Sequence, residues 1–119
     1  MRTVLVVDDV QTDRELIGKV VTTTGHHPEY AADGEEALVK AKALMPALIL
    51  LDVVMPRTDG FATCRNLKKD PATAAIPVVL VTQKSTETDR FWGQKQGASA
   101  HIAKPFTPDE MATVIRQFV

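Results

Sequence analysis

The feature that most constrains the fold is an alternation of short apolar runs with amphipathic segments along the whole chain. Residues 3–7, 48–51 and 77–81 are apolar and rich in Val, Leu and Ile, as strands covered on both faces are. Residues 29–32 and 100–103 complete five predicted strands. Strands that alternate with helices indicate a parallel sheet with helices on both faces, so the sequence predicts an α/β domain.

Five helices are predicted, and three of them have recognisable start signals. The segment "TDRE" (12–15) fits a Thr-x-x-Glu capping box, and "DGEE" (33–36) starts a second helix. The segment "TPDE" (107–110) combines a capping residue, a Pro at the first helical position and a Glu three residues after the cap.

The apolar positions within each helix predict the side that packs against the sheet. In the fourth helix, which ends at Gly97, Phe91 is expected to face the core, and Trp92 to lie about 100° around the helix. The buried positions expected in the other helices are Leu16, Ile17, Val20, Val21, Ala37, Leu38, Ala41, Leu44, Phe61, Cys64, Leu67, Met111, Val114, Ile115 and Phe118.

Composition narrows the functional classes. The 119 residues fit one domain, expected to span residues 1–119, and a net charge of −1 gives no general attraction to nucleic acid or to an anionic membrane. With Cys64 as the only cysteine, no internal disulfide or cysteine-based metal cluster is expected. The N-terminus reaches two acids too early for a secretory signal, and no apolar run is long enough to span a bilayer, so a cytoplasmic protein is expected.

Polar residues follow four of the predicted strands. Asp8 and Asp9 come after the first strand, Asp52 after the third, Thr82 after the fourth and Lys104 after the fifth. Ligands of such sheets bind beyond the C-terminal ends of the strands. Each residue alone has a structural explanation, such as a helix cap for the first two acids or a solvated loop position for the lysine. Together they predict a site at one edge of the sheet.

The chemistry of this group indicates phosphoryl transfer. Two carboxylates about 4 Å apart repel by roughly 4 kcal/mol at an effective dielectric near 20, so a cation is the natural compensation. Carboxylate oxygens together with a phosphate oxygen suit Mg²⁺. An aspartate beside that ion can attack phosphorus. Asp52 is therefore the candidate phosphate acceptor, and Thr82 and Lys104 are the donors available to the phosphoryl oxygens.

Four segments carry a resemblance to a known family. With "VLVVDD" (4–9), "LILLDVVMPRTDG" (48–60), "VLVT" (79–82) and "AKPF" (103–106), the chain resembles the receiver domain of two-component response regulators over essentially its whole length. The resemblance implies a flavodoxin-like, doubly wound α/β fold with a five-stranded parallel sheet in the order 2-1-3-4-5 and five helices.

The resemblance also implies roles for particular residues. Asp52 would be phosphorylated by a histidine kinase or a histidine phosphotransfer domain, with Thr82 as the switch hydroxyl and Lys104 as the phosphate-binding ammonium. The Lys104–Pro105 bond would be cis. The implied ligands of Mg²⁺ are Asp9, Asp52 and the backbone carbonyl of Val54, with Asp8 acting through water.

The resemblance has one departure and one refinement. Many receivers carry Tyr or Phe two residues before the lysine, where this chain has Ile102, so we expect a shift of the 82–87 loop and the fourth helix rather than a ring rotation.

A downstream protein is expected to bind the face formed by the fourth helix, the fifth strand and the fifth helix. The segment "TETDRFWGQKQGA" (86–98) resembles receivers of twitching-motility and related chemotaxis-like systems.

Three other functions remain open at the level of the sequence. A phosphatase or phosphotransferase of the haloacid dehalogenase type would also use an aspartyl phosphate, but it carries a second Asp where this chain has Val54. A flavodoxin-like cofactor binder would need Ser, Thr and Gly in the loops after the first and third strands. A degenerate receiver would act as an interaction module alone, yet here the acids, Thr82 and Lys104 are all present.

Overall fold

A parallel sheet of five strands forms the centre of the molecule, in a computed structural model that describes residues 1–119. The strand order is β2-β1-β3-β4-β5, and all four neighbouring pairs are parallel. This confirms the predicted doubly wound order. The strands are β1 (Thr3–Val7), β2 (His27–Ala31), β3 (Leu48–Leu51), β4 (Val78–Thr82) and β5 (Ala100–Ala103).

Five helices cover the two faces of this sheet. One apolar cluster joins one side of the strands to the first and last helices, and a second cluster joins the other side to the second and third. All four residues of β3 are at most 1% exposed, which explains its unbroken apolar run. No helix is both long enough and apolar enough to cross a membrane. The helices are α1 (Gln11–Thr23), α2 (Gly34–Leu44), α3 (Gly60–Lys69), α4 (Glu87–Lys95) and α5 (Pro108–Phe118).

The predicted start signals are confirmed for two helices and wrong for one. Asp33 caps α2 by accepting a hydrogen bond from the Glu36 N–H, and Thr107 begins a complete capping box at α5. In α1, however, Val10 occupies the capping position and no side chain caps the helix. The helix starts at Gln11, which places Thr12 inside the first turn, where it cannot act as the cap.

The expected orientation of α4 is wrong. Phe91 is 56% exposed and Trp92 is 55% exposed, while the only buried residue of this helix is Gly93. A Cβ at Gly93 would lie 2.6 Å from the Leu80 Cδ1 atom, so the helix approaches the sheet through a position without a side chain. Both aromatic rings are thereby left outside the core. Leu16 and Leu44, also expected to be buried, are 45% and 41% exposed.

A small hairpin follows β3 and was not predicted. Residues 54–55 pair in antiparallel fashion with residues 58–59, and Arg57 in the turn has a φ of 58°. The hairpin brings Gly60, the first residue of α3, against the backbone of Asp52 and Val53. Because a Cβ at Gly60 would overlap the Asp52 carbonyl oxygen, this close approach requires glycine.

Candidate functional site

The candidate site lies at the C-terminal edge of the sheet. The strand register aligns the ends of β1, β3, β4 and β5, and the side chains that follow them therefore meet at one edge. They surround a cavity of about 280 Å³. The residues that line it are Asp9, Val10, Asp13, Asp52, Val54, Thr82, Gln83 and Lys104.

Three carboxylates meet at this edge, as the sequence predicts. Asp8, Asp9 and Asp52 each present an oxygen, and these oxygens lie within 4.8 Å of one another. Asp8 is 1% exposed and Asp52 is 7% exposed, whereas Asp9 is the most exposed of the three. A close group of carboxylate oxygens with one member open to solvent fits a hard divalent cation such as Mg²⁺.

Lys104 reaches into the same group of acids. Its Nζ atom donates to Asp8 Oδ2 at 2.6 Å, to Asp13 Oδ2 at 3.0 Å and to Asp52 Oδ2 at 3.2 Å. Burial opposes the charge of this ammonium, but the hydrogen bonds that it donates to Asp8 and Asp13, together with the negative charges of Asp52 and Asp8, outweigh burial and raise the pKa of Lys104. The following Lys104–Pro105 bond is cis, as the resemblance implied.

Asp8 is held at the base of the site by several contacts. Its Oδ1 atom accepts a hydrogen bond from the Val10 N–H at 3.0 Å, and its backbone oxygen accepts one from the Arg14 guanidinium at 2.7 Å. Burial raises the pKa of the Asp8 carboxyl, against the opposing hydrogen bond from Lys104. Asp8 therefore both fixes the chain that enters α1 and contributes a carboxylate that gains from a nearby cation.

Asp52 and Thr82 are each held by the backbone two residues further on. The Val54 N–H donates to Asp52 Oδ1 at 3.1 Å, and the Lys84 N–H donates to Thr82 Oγ1 at 3.1 Å. The Lys84 carbonyl oxygen in turn lies 2.8 Å from His101 Nε2 on β5. Thr82 is fully buried. Because its hydroxyl accepts the hydrogen bond from the Lys84 N–H, it is linked to the loop that leads into α4.

Two contributors to the site were missed by sequence reasoning. Asp13 binds Lys104, and Arg14 binds the backbone of Asp8. An acid in the first turn of a helix is normally explained by the helix dipole, so the type and position of Asp13 gave no separate signal. Its contact with Lys104 joins residues 91 positions apart, which only the fold reveals.

The arrangement is suited to accepting an anionic group on a carboxylate. Asp52 borders the cavity, the ammonium of Lys104 contacts the Asp52 carboxylate, and Thr82 lines the same cavity. A carboxylate can act as a nucleophile, and a nearby ammonium and hydroxyl can hold the oxygens of the group that it receives.

Comparisons with known proteins agree with this geometry. The family model described as the response regulator receiver domain matches residues 4–116. Protein PilH of Pseudomonas aeruginosa is 36% identical over 115 residues, which cover 97% of this chain and 95% of that protein. Response regulator PleD of Caulobacter vibrioides is 44% identical over 102 residues, which cover 86% of this chain and 22% of PleD. The chain thus spans nearly the full length of one relative and less than a quarter of the other.

Solved structures show the same architecture. The chemotaxis protein CheY4 of Vibrio cholerae superposes with a TM-score of 0.94 at 28% identity, covering 100% of this chain and 99% of that one. The signal receiver domain of a histidine kinase from Syntrophus aciditrophicus gives a TM-score of 0.90 at 33% identity, covering 99% of this chain and 89% of that one.

Proposed function

The chain belongs to the response regulator receiver domain family, and from that membership we propose that it accepts a phosphoryl group on Asp52 from a histidine kinase or a histidine phosphotransfer domain. The observation that carries the proposal is the position of Asp52, nearly buried at the end of β3, with the Lys104 ammonium 3.2 Å from its carboxylate. The receiver domain comprises residues 1–119.

The transfer follows from the chemistry of these side chains. An Asp52 oxygen attacks the phosphorus atom of the phosphohistidine, the new O–P bond forms as the P–N bond breaks, and the electron pair leaves on the imidazole nitrogen. Lys104 then donates to a phosphoryl oxygen in place of its present bond to Asp52, and the Thr82 hydroxyl donates to another. The protein catalyses only its own phosphorylation and dephosphorylation.

Mg²⁺ is the proposed cofactor. Asp9, Asp52 and the backbone carbonyl of Val54 would hold it, with Asp8 acting through water, and the closely spaced carboxylate oxygens support this assignment. When bound, the ion neutralises the charge that develops on the phosphoryl oxygens during transfer. The burial of Asp8, which disfavours its carboxylate form, adds to the gain from a cation.

The proposed output is binding to another protein. The phosphoryl group draws the Thr82 hydroxyl inward, and the loop of residues 82–87 moves with it through the bond from Lys84 to Thr82. The face made by α4, β5 and α5 then changes shape, and a downstream protein recognises it. The resemblance of residues 86–98 to receivers of twitching-motility and chemotaxis-like systems, with the likeness to the chemotaxis protein CheY4, supports a role in pilus-driven motility or chemotaxis, as a signal carrier or as a phosphate sink. We place the protein in the cytoplasm, without nucleic-acid or membrane binding.

The alternative function is an aspartyl-phosphate phosphatase, and the apolar residue Val54 argues against it. The chain has no second acid two residues after Asp52 to act as a general acid or base. The full set of Asp8, Asp9, Asp52 and Lys104 in one group likewise favours a phosphorylated receiver over a degenerate one.

Incubation of the purified protein with Mg²⁺ and acetyl phosphate tests the proposal. Intact-mass spectrometry should show the gain of one phosphoryl group, and the label should be stable to acid and labile to base because an acyl phosphate is cleaved by hydroxide. The same incubation in EDTA should give little labelling. A protein that gains no phosphoryl group under any of these conditions contradicts the proposed function.

Trp92 fluorescence should report the switch. The indole is half exposed on α4, at the end of the path from Thr82 through the loop, so beryllofluoride with Mg²⁺ should change its emission. In Thr82→Ala the hydroxyl that links the site to the loop is missing, and the change should be at least halved. Equal responses in the two proteins would show that the coupling does not pass through Thr82.

A further inference from the structure

Asp13 occupies an unexpected position beside the phosphoryl site. It lies in the first turn of α1, lines the cavity next to Asp52, and accepts a hydrogen bond from Lys104 Nζ at 3.0 Å. Its side chain is 40% exposed, and it has no place in the transfer described above. A fourth carboxylate near a site that must receive an anion calls for a physical explanation.

The hydrogen-bonding capacity of Lys104 supplies one. An ammonium has three N–H donors, and all three are used here by carboxylates, those of Asp8, Asp13 and Asp52. Two of these partners, Asp8 and Asp13, precede or begin α1 and hold the ammonium on that side of the cavity at the two shorter distances. A phosphoryl group on Asp52 can take over the third donor, but Asp8 and Asp13 still hold the nitrogen toward α1 and limit how closely it approaches the phosphoryl oxygens.

We propose that Asp13 is a positioning residue that disfavours the phosphorylated state by retaining the Lys104 ammonium on the α1 side of the site. This inference rests on the proposed function and adds a determinant of how strongly the site holds a phosphoryl group. Asp13 differs from Asp8 in this respect. Asp8 also has the proposed role of binding Mg²⁺ through water, whereas the side chain of Asp13 contacts only the Lys104 ammonium.

The charge of Asp13 acts in the same direction as its hydrogen bond. Both Asp13 and Asp52 contact one nitrogen atom, so their oxygens can be no farther apart than the sum of those two short contacts. A phosphoryl group on Asp52 brings further negative charge to that distance from Asp13, and the repulsion is only partly screened in this half-exposed position. Neutralising Asp13 therefore both weakens its hold on the ammonium and removes a repulsion.

Beryllofluoride affinity tests the proposal without turnover. The dissociation constant is measured by ¹⁹F NMR at a Mg²⁺ concentration that saturates each variant. Asp13→Asn should bind the mimic about fivefold more tightly than wild type, the size expected for a partly screened charge interaction. Asp13→Glu keeps the charge and should stay close to wild type. Glu15→Gln removes a charge from the same helix at a residue bonded only to Gln11, and it should have no effect.

The outcomes separate this inference from the function on which it rests. Weaker binding by Asp13→Asn would mean that Asp13 supports Lys104 in holding the phosphoryl group, and it would overturn the proposal. Equal tightening in Asp13→Asn and Glu15→Gln would reduce the effect to net charge and would overturn it as well. If wild type binds and no variant differs, the inference alone fails. If wild type fails to bind beryllofluoride and also gains no phosphoryl group, the proposed function fails and the inference fails with it.

Discussion

Replacing Asp52 by Asn is expected to abolish the phosphoryl gain from Mg²⁺ and acetyl phosphate, with labelling reduced at least a hundredfold, roughly to background. The amide is close to the carboxylate in shape, and its one oxygen can still accept the hydrogen bond from the Val54 N–H, although the bond that Asp52 Oδ2 accepts from Lys104 is lost. The fold should therefore persist while the nucleophile is lost. Intact-mass spectrometry of equal amounts of wild type and variant measures the difference.

Asp59→Asn is the matched control for this experiment. Asp59 is exposed, lies seven residues further along the same connection and caps α3 through the Phe61 N–H, a role that Asn performs equally well. The control should label like wild type. Wild-type labelling of Asp52→Asn would move the acceptor to another carboxylate, and loss of labelling in both variants would point to damage to the loop.

Gly60→Ala is expected to give the largest loss of stability. A Cβ at this position would overlap the Asp52 carbonyl oxygen and the Val53 Cα atom, and neither backbone atom can move without displacing the end of β3. We expect the free energy of unfolding to fall by about 3 kcal/mol and the melting temperature by roughly 10 °C. Because Asp52 must shift, acetyl phosphate labelling of the folded fraction should also decrease.

Gly25→Ala separates this clash from the general cost of replacing a glycine. Gly25 has a φ of 90° and has no atom within 4 Å of the added Cβ, so the change should cost about 1 kcal/mol through backbone strain alone, without affecting labelling. Thermal melts followed by circular dichroism compare the two variants. Equal losses in both would show that the close approach of Gly60 to Asp52 is not a tight constraint.

Much of the fold and most of the candidate site could be predicted from the sequence, for a shared physical reason. In a parallel sheet, strands covered on both faces are apolar throughout, so a polar residue directly after such a run marks both the strand end and the edge where ligands bind. The sequence therefore predicts that Asp8, Asp52, Thr82 and Lys104 lie at one edge of the sheet, and the structure brings them together there.

The failures have physical causes as well. Apolar periodicity predicts a buried Phe91, but it can locate a buried face only where that face is made of apolar side chains. The buried position of α4 is Gly93, which has no side chain to reveal it. The Thr-x-x-Glu pattern predicts a cap at Thr12, but α1 already begins at Gln11, after Val10, whose N–H donates to Asp8 Oδ1. The contact of Asp13 is not predictable in this way, because its partner Lys104 lies 91 residues further along the chain and no local spacing encodes the pairing.

The glycine on the inner side of α4 has a mechanical consequence. Helices packed through interlocking side chains resist sliding, because the rows of side chains on one surface must separate from the grooves on the other before the helix can move. The buried side of α4 offers only Gly93, a smooth contact against Leu80, with the two large rings outside. Such a contact permits shear along the sheet at low cost. We therefore expect that a short pull from its N-terminal loop can displace α4 along the sheet, and that the two aromatic rings move with it.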